Sequence, residues 1–173
     1  MVPPKMKSRL DSTGKSSGMD ALRRSGLGWR RTEPGDLDHI SAIEQRAYAF
    51  PWNLGIFQDC LRAGYICLSA TWHGEIIGYG VMSVAVGECH ILNICIAPEW
   101  QGLGLGRGLL RRMLRIARQQ GADTAFLEVR PSNLAARRLY EASGFNEVGV
   151  RRGYYPAVRG REDAIILARA LLL

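Results

Sequence analysis

Residues 91–109 read Ile91-Leu92-Asn93-Ile94-Cys95-Ile96-Ala97-Pro98-Glu99-Trp100-Gln101-Gly102-Leu103-Gly104-Leu105-Gly106-Arg107-Gly108-Leu109. A strand-like apolar run continues to Ala97 and stops at Pro98, which has no N–H to extend a ladder. A glycine-rich loop follows, and Leu105, Leu109, Met113 and Ile116 then fall on one helical face up to Gly121. The unit is strand, glycine turn, helix. Glycines let backbone N–H groups approach a ligand closely. The free N–H groups of the helix start, with the helix dipole, make an anion site. A pyrophosphate is the natural guest. A dinucleotide fingerprint fails, because its third glycine falls on Arg107 or Leu109. A Walker loop fails for want of a closing Gly-Lys-Ser/Thr.

Working outward, the N-terminal side predicts a short strand from Trp29, then a helix in which Leu37, Ile40, Ile43 or Glu44, and Ala47 recur. Phe50-Pro51-Trp52 breaks it, and Asn53 caps a second helix to about Arg62. Strands Tyr65–Trp72, Glu75–Val86 and Cys89–Ala97 form an antiparallel meander, turning at His73-Gly74 and Gly87-Glu88. Beyond the helix, the pattern gives a strand Thr124–Val129 and a helix Ser132–Ser143. A strand Phe145–Arg152, an irregular stretch Gly153–Arg161 and a last strand Glu162–Leu171 follow. The predicted class is α+β: a mixed central β-sheet with an antiparallel N-terminal meander, flanked by helices.

The 173 residues suit one domain, expected over 29–173, preceded by a disordered basic tail over 1–28. The chain carries +7, and the tail alone holds six Lys/Arg against two Asp, a net +4 that leaves +3 for the domain. The domain itself is therefore not expected to contact nucleic acid. No apolar run is long enough to span a bilayer, and no membrane partner is expected. Cys60, Cys67, Cys89 and Cys95 form no CxxC pair, and His39, His73 and His90 are scattered. Packing is favoured over a metal site, and a reducing cytoplasm is the expected location.

The motif Gln101-x-x-Gly104-x-Gly106, after a strand and before a helix, resembles the acetyl-CoA loop of the GNAT N-acetyltransferase superfamily. The element order matches over residues 29–171. Within that superfamily, five blocks are similar to the RimI-type ribosomal-protein-alanine N-acetyltransferases: Phe50-Pro51-Trp52, Leu127-Glu128-Val129-Arg130, Leu139 to Asn146, Arg151 to Pro156, and Gly160 to Ala164. The resemblance implies that acetyl-CoA is the cosubstrate, with the pantetheine arm on the backbone of Ile94, Cys95 and Ile96. It places the pyrophosphate on Gly102, Leu103, Gly104, Leu105, Gly106 and Arg107. Gly102 stands where a charged or polar residue is common, which leaves backbone donation intact. The implied partner is a protein N-terminus, that of small-subunit ribosomal protein eighteen, and the implied state is a monomer. A broader N-terminal or lysine acetyltransferase is the alternative. A non-catalytic acetyl-CoA-binding module would need neither Glu128 nor Tyr140.

Acetyl transfer from a thioester to an amine needs a base, a site for the oxyanion and a proton for the departing thiolate. Glu128 lies in an apolar strand, where a carboxylate is costly unless hydrated or paired. Burial there is expected to raise its pKa, and a salt bridge with Arg130 is the bland alternative. The resemblance makes Glu128 the general base and Tyr140 the acid that protonates the thiolate, with Asn133 on the cofactor. From spacing, Asn133 lies two turns before Tyr140 on one face, and it is also a natural N-cap. Arg107, Arg111, Arg115 and Arg118 form a stripe, read first as a solvated face, with a cofactor phosphate as the alternative partner of Arg107 or Arg111. Gly153 to Pro156 and Phe50-Pro51-Trp52 are expected to wall a peptide groove.

Overall fold

The structure is a computed structural model that describes residues 26–171. Most of the expected tail, residues 1–25, lies outside the described residues. The first strand, β1 (Leu27–Arg31), begins two residues earlier than expected, because Leu27 and Gly28 pair with Trp72 and Thr71. A 3₁₀ turn at Pro34–Asp36 leads into α1 (Leu37–Ala47). Helix α2 (Leu54–Arg62) is capped as expected, the Asn53 side chain accepting from Ile56 N–H at 3.1 Å. The meander is β2 (Ile66–Trp72), β3 (Glu75–Ala85) and β4 (Glu88–Ile96). The β3–β4 turn sits at Val86-Gly87, one residue before the expected position, since Ala85 pairs with Glu88.

Helix α3 (Leu105–Gln119), β5 (Thr124–Val129), α4 (Leu134–Glu141), β6 (Asn146–Pro156) and β7 (Arg161–Ala170) complete the domain. Seven strands form one sheet in the order β1-β2-β3-β4-β5-β7-β6. Only the β4–β5 pair is parallel, so the sheet is mixed, as predicted.

One strand differs from its prediction in a way that matters for the site. β6 does not stop at Arg152. It bulges and resumes, so that Arg151 pairs with Ala164 and Tyr155 with Glu162. Gly153 takes φ +56° at the bulge, and its N–H donates to Asp163 Oδ1 at 2.7 Å. The carboxylate replaces the ladder partner that the bulge removes, and Tyr154 and Tyr155 are held on a strand rather than in a loop.

The two faces of the sheet are covered by different helices. Side chains alternate along β3. Tyr79 reaches Glu44 of α1 and packs on Phe57 of α2 at 5.3 Å between ring centres. Gly80, its neighbour, faces Met113 and Leu109 of α3. Leu105, Leu109, Leu110, Met113 and Ala117 are all buried. All four cysteines are free and buried, in line with the expected packing role.

Close approach of β3 to β4 is tightest at Gly78, where an added Cβ would lie 2.8 Å from the Cys95 carbonyl oxygen and 2.6 Å from Ile96 Cδ1. Gly78→Ala is expected to cost about 1–3 kcal/mol by overpacking. A thermal melt should then show Tm lower by about 2–12 °C. An unchanged Tm would mean that this backbone contact yields without cost.

Candidate active site

The glycine loop ends in an open helix start. Gly104 is the N-cap of α3 with φ +79°, a left-handed conformation that glycine adopts without steric cost, and no side chain caps the helix. Leu105, Gly106 and Arg107 open the helix, so their N–H groups have no intrahelical acceptor. An added Cβ at Gly102 or Gly104 meets nothing within 4 Å, so the loop faces open space. Gln101 anchors it, donating from Nε2 to the Ile96 carbonyl at 2.9 Å. The Leu105 side chain is buried in the core and Leu103 packs against it. Any ligand contact from Leu105 must therefore be through backbone. Gly106 approaches Leu139 of α4, its added Cβ lying 3.5 Å from Leu139 Cδ2 and 3.9 Å from Ile96 Cγ1. Loop, β4 end and α4 therefore converge.

β4 and β5 then part. Their parallel pairing runs from Glu88–Thr124 to Ile91–Leu127 and ends there. Asn93 to Ile96 remain paired only with β3. The gap leaves Ile94, Cys95 and Ile96, the edge the sequence assigned to a pantetheine arm, without a strand partner on the β5 side; Ile94 lines the gap, whereas Cys95 and Ile96 are buried and do not. The Ile94 carbonyl also accepts from Tyr48 Oη at 3.0 Å. The Cys95 thiol is buried, and burial pushes it up to about 12.

An open cleft of about 290 Å³ occupies the gap. Glu128, Asn133, Tyr140 and Ile94 all line it, with Phe50, Trp52, Tyr155 and Pro156 from the expected walls. Glu128 is one of the outward-facing residues of β5, about one-quarter exposed. Its partner is Arg151 of β6 at 3.0 Å, not Arg130. The expected sealing of this carboxylate in an apolar strand is thus replaced by a half-exposed ion pair. Hydrogen bonding to Glu128 raises the Tyr154 phenol, with burial adding to the effect.

Tyr140 is buried against Phe145, with ring centres 5.9 Å apart. Burial, then the nearby Tyr155, raises its phenol far above the ordinary value, so it stays protonated. Its hydroxyl makes no hydrogen bond to another described residue. Asn133 caps α4, its Oδ1 accepting from Ala136 N–H at 3.1 Å. That bond uses the oxygen and leaves the Nδ2 donors for the cleft.

Two features of the cleft were not assigned from sequence. Arg130 ties its walls together. The guanidinium lies 4.2 Å from the Tyr155 ring centre and 5.5 Å from that of Phe50. It also donates to the Pro156 carbonyl at 2.9 Å and pairs with Glu162 at 3.2 Å. Glu44 is the second. It is only 2% exposed, so its carboxylate would be costly without donors. It receives Trp52 N–H at 2.9 Å, Asn93 Nδ2 at 3.3 Å and the Tyr79 hydroxyl. One buried charge therefore fixes the Phe50-Pro51-Trp52 wall to the splayed strand. The available signal was a glutamate at a core-facing helical position beside Ile43.

Arg107 does not line this cleft. It lies on a second groove with Arg111, Arg115 and Arg118. Among the described residues, no group of His, Cys, Asp and Glu is placed to hold a metal ion, and no helix is long and apolar enough to cross a membrane.

Comparison with known proteins agrees with this fold. A model of the acetyltransferase (GNAT) family matches residues 33–145. The [ribosomal protein bS18]-alanine N-acetyltransferase of Escherichia coli K12 is 43% identical over 136 residues, covering 79% of this chain and 92% of that protein. The crystal structure of the ribosomal-protein-S18-alanine N-acetyltransferase from Escherichia coli superposes with a TM-score of 0.80 at 39% identity, covering 85% of this chain and 95% of that one. The structure of yncA from Salmonella typhimurium with its cofactor acetyl-CoA shares the fold, with a TM-score of 0.73 at 22% identity over 86% of this chain and 96% of that one.

Proposed function

The chain belongs to the acetyltransferase (GNAT) family, and from that premise we propose that it acetylates the N-terminal α-amine of an alanine-starting protein, ribosomal protein bS18, from acetyl-CoA. The observation that carries this reading is that Glu128, Tyr140 and Asn133 line one cleft with an aromatic wall on either side. The bS18 substrate is the one in the name of the relative that is 43% identical.

Acetyl-CoA supplies an activated thioester when bound. The uncapped start of α3, with Gly102 and Gly104 facing open space, fits a pyrophosphate held by N–H groups from Gly102 to Arg107. The unpaired edge of Ile94, Cys95 and Ile96 fits an extended arm that borrows β5's place. Asn133 Nδ2 offers a further donor. Glu128 takes the proton of the attacking amine, directly or through one water. Tyr140, kept protonated by burial, gives its proton to the departing sulfur. Transfer is direct rather than through an acetylated cysteine. No cysteine lines the cleft, and the thiol of Cys95, on the splayed strand, is buried and raised to about 12.

The amine class follows from acidity. An α-amine of pKa ~7.7–8.0 is about a tenth neutral at pH 7, whereas a lysine amine near ~10.4 is more than a hundredfold less so. A single carboxylate base suits the former. The test compares an Ala-starting peptide carrying a blocked lysine with an acetyl-capped peptide carrying a free one. The expected kcat/KM ratio is about 100 or more in favour of the α-amine. Equal rates would move the assignment to a broader acetyltransferase.

A further inference from the structure

Helix α3 is basic on one side and carries no acid. Its 15 residues include Arg107, Arg111, Arg112, Arg115 and Arg118 and no Asp or Glu. At about 100° per residue, Arg107, Arg111, Arg115 and Arg118 lie within about 80° of one another, over about 16 Å of helix. All four are exposed, and among the described residues none makes an ion pair. They line an open groove of about 450 Å³. Arg169 of β7 closes its far side, held by donation to the Ser143 carbonyl at 2.6 Å. The floor is apolar, with Leu110, Leu114 and Leu171, and no acidic residue lines any part of it.

Five guanidiniums around an acid-free groove repel one another, and their arrangement favours a guest that brings several negative charges in a row. Arginine matches phosphate oxygens with paired donors and stacks on planar rings. We propose that this groove docks the phosphate backbone of single-stranded RNA, with bases against the apolar floor. The inference rests on the proposed ribosomal-protein substrate, which RNA would accompany. It revises the expectation that the domain avoids nucleic acid. That expectation came from the domain's net charge, which averages out a concentrated stripe. The groove shares no lining residue with the transfer cleft and meets the cofactor loop only at Arg107. A bound RNA would therefore tether substrate without blocking the chemistry.

The test uses the full chain saturated with acetyl-CoA and a fluorescent polyuridylate oligonucleotide, read by anisotropy across a salt series. The comparison is the triple variant Arg111→Ala, Arg115→Ala, Arg118→Ala, which spares Arg107 and the loop. All three positions are exposed and alanine suits a helix, so its circular dichroism and Tm should match wild type. Removing three phosphate contacts should weaken RNA binding about tenfold or more and reduce the log–log salt slope by about 2. Acetylation of a free Ala-starting peptide should be unchanged. The proposal is overturned if wild type does not bind the oligonucleotide. It is equally overturned if the variant binds it like wild type, which would leave residues 1–28 carrying the RNA. RNA binding by the acetyl-CoA-free chain that saturation with acetyl-CoA abolishes would reassign the groove to the cofactor, and tighter binding of polyglutamate of equal charge than of the oligonucleotide would reassign it to an acidic protein. Failure of wild type to acetylate the peptide sinks the transferase reading instead, whatever the RNA data show.

Discussion

Glu128→Gln is expected to lower kcat for α-amine acetylation by about 10²–10⁴-fold, or about 3–5 kcal/mol in the barrier, the usual span for a lost general base. The substitution keeps the shape of the side chain and an oxygen that can still accept from Arg151. The ion pair it removes is half-exposed and so contributes little to stability. Tm should therefore stay within about 1–2 °C of wild type. Acetyl-CoA binding should also be unchanged, because the loop, the helix start and the β4 edge are built from other residues. Stopped-flow turnover and calorimetric cofactor titration separate these effects. If turnover survives with cofactor binding intact, Glu128 is an ion-pair partner only. The remaining buried carboxylate of the cleft, Glu44, could not replace it as base without giving up the donors that now satisfy it.

The fold was legible in the sequence where local signals and tertiary demand agree. Pro98, the glycine loop and the spacing from Leu105 to Ile116 set β4, the turn and α3, and the structure has them in those places. Asn53 and Asn133 are caps by residue type and by observed bond. The misses share a cause, namely pairing decided by distant chain. Gly153 looked like the end of a strand, but Asp163, ten residues on, repairs the backbone and lets β6 continue to Pro156. Leu27 and Gly28 looked like tail and are ordered by β2. Arg130, two residues past Glu128 and on the same face of a regular strand, is the neighbour the sequence offers, but β5 ends at Val129 and Arg130 pairs with Glu162 instead, which leaves Glu128 to another strand. Arg151 reaches it from β6. Glu44 was one of two interchangeable helical positions with Ile43. Both are buried, and only the carboxylate gathers Trp52, Tyr79 and Asn93 at the cleft.

Tyr140→Phe is expected to lower kcat by about 10²-fold without a matching loss of stability. Phenylalanine keeps the ring that packs on Phe145. The hydroxyl faces the cleft with no partner among the described residues, so its removal orphans no buried donor. The deficit should depend on the leaving group. An acetyl thioester of a more acidic thiol departs without a proton, so the gap between Tyr140→Phe and wild type should shrink with it. A gap that stays constant across thiols would make Tyr140 a packing residue. The pH profile gives a second, independent reading. The acid acts in its protonated form, which persists below its pKa, and burial raises that pKa. Wild-type kcat/KM should therefore rise as the α-amine loses its proton near ~7.7–8.0 and then hold level to about pH 10, the ordinary tyrosine value. Tyr140→Phe should show the same ascending limb to a lower plateau. A descending limb between pH 8 and 10 that vanishes in Tyr140→Phe would mean that the phenol titrates at its ordinary value when acetyl-CoA is bound. The buried environment described for Tyr140 would then not be the one in which it works.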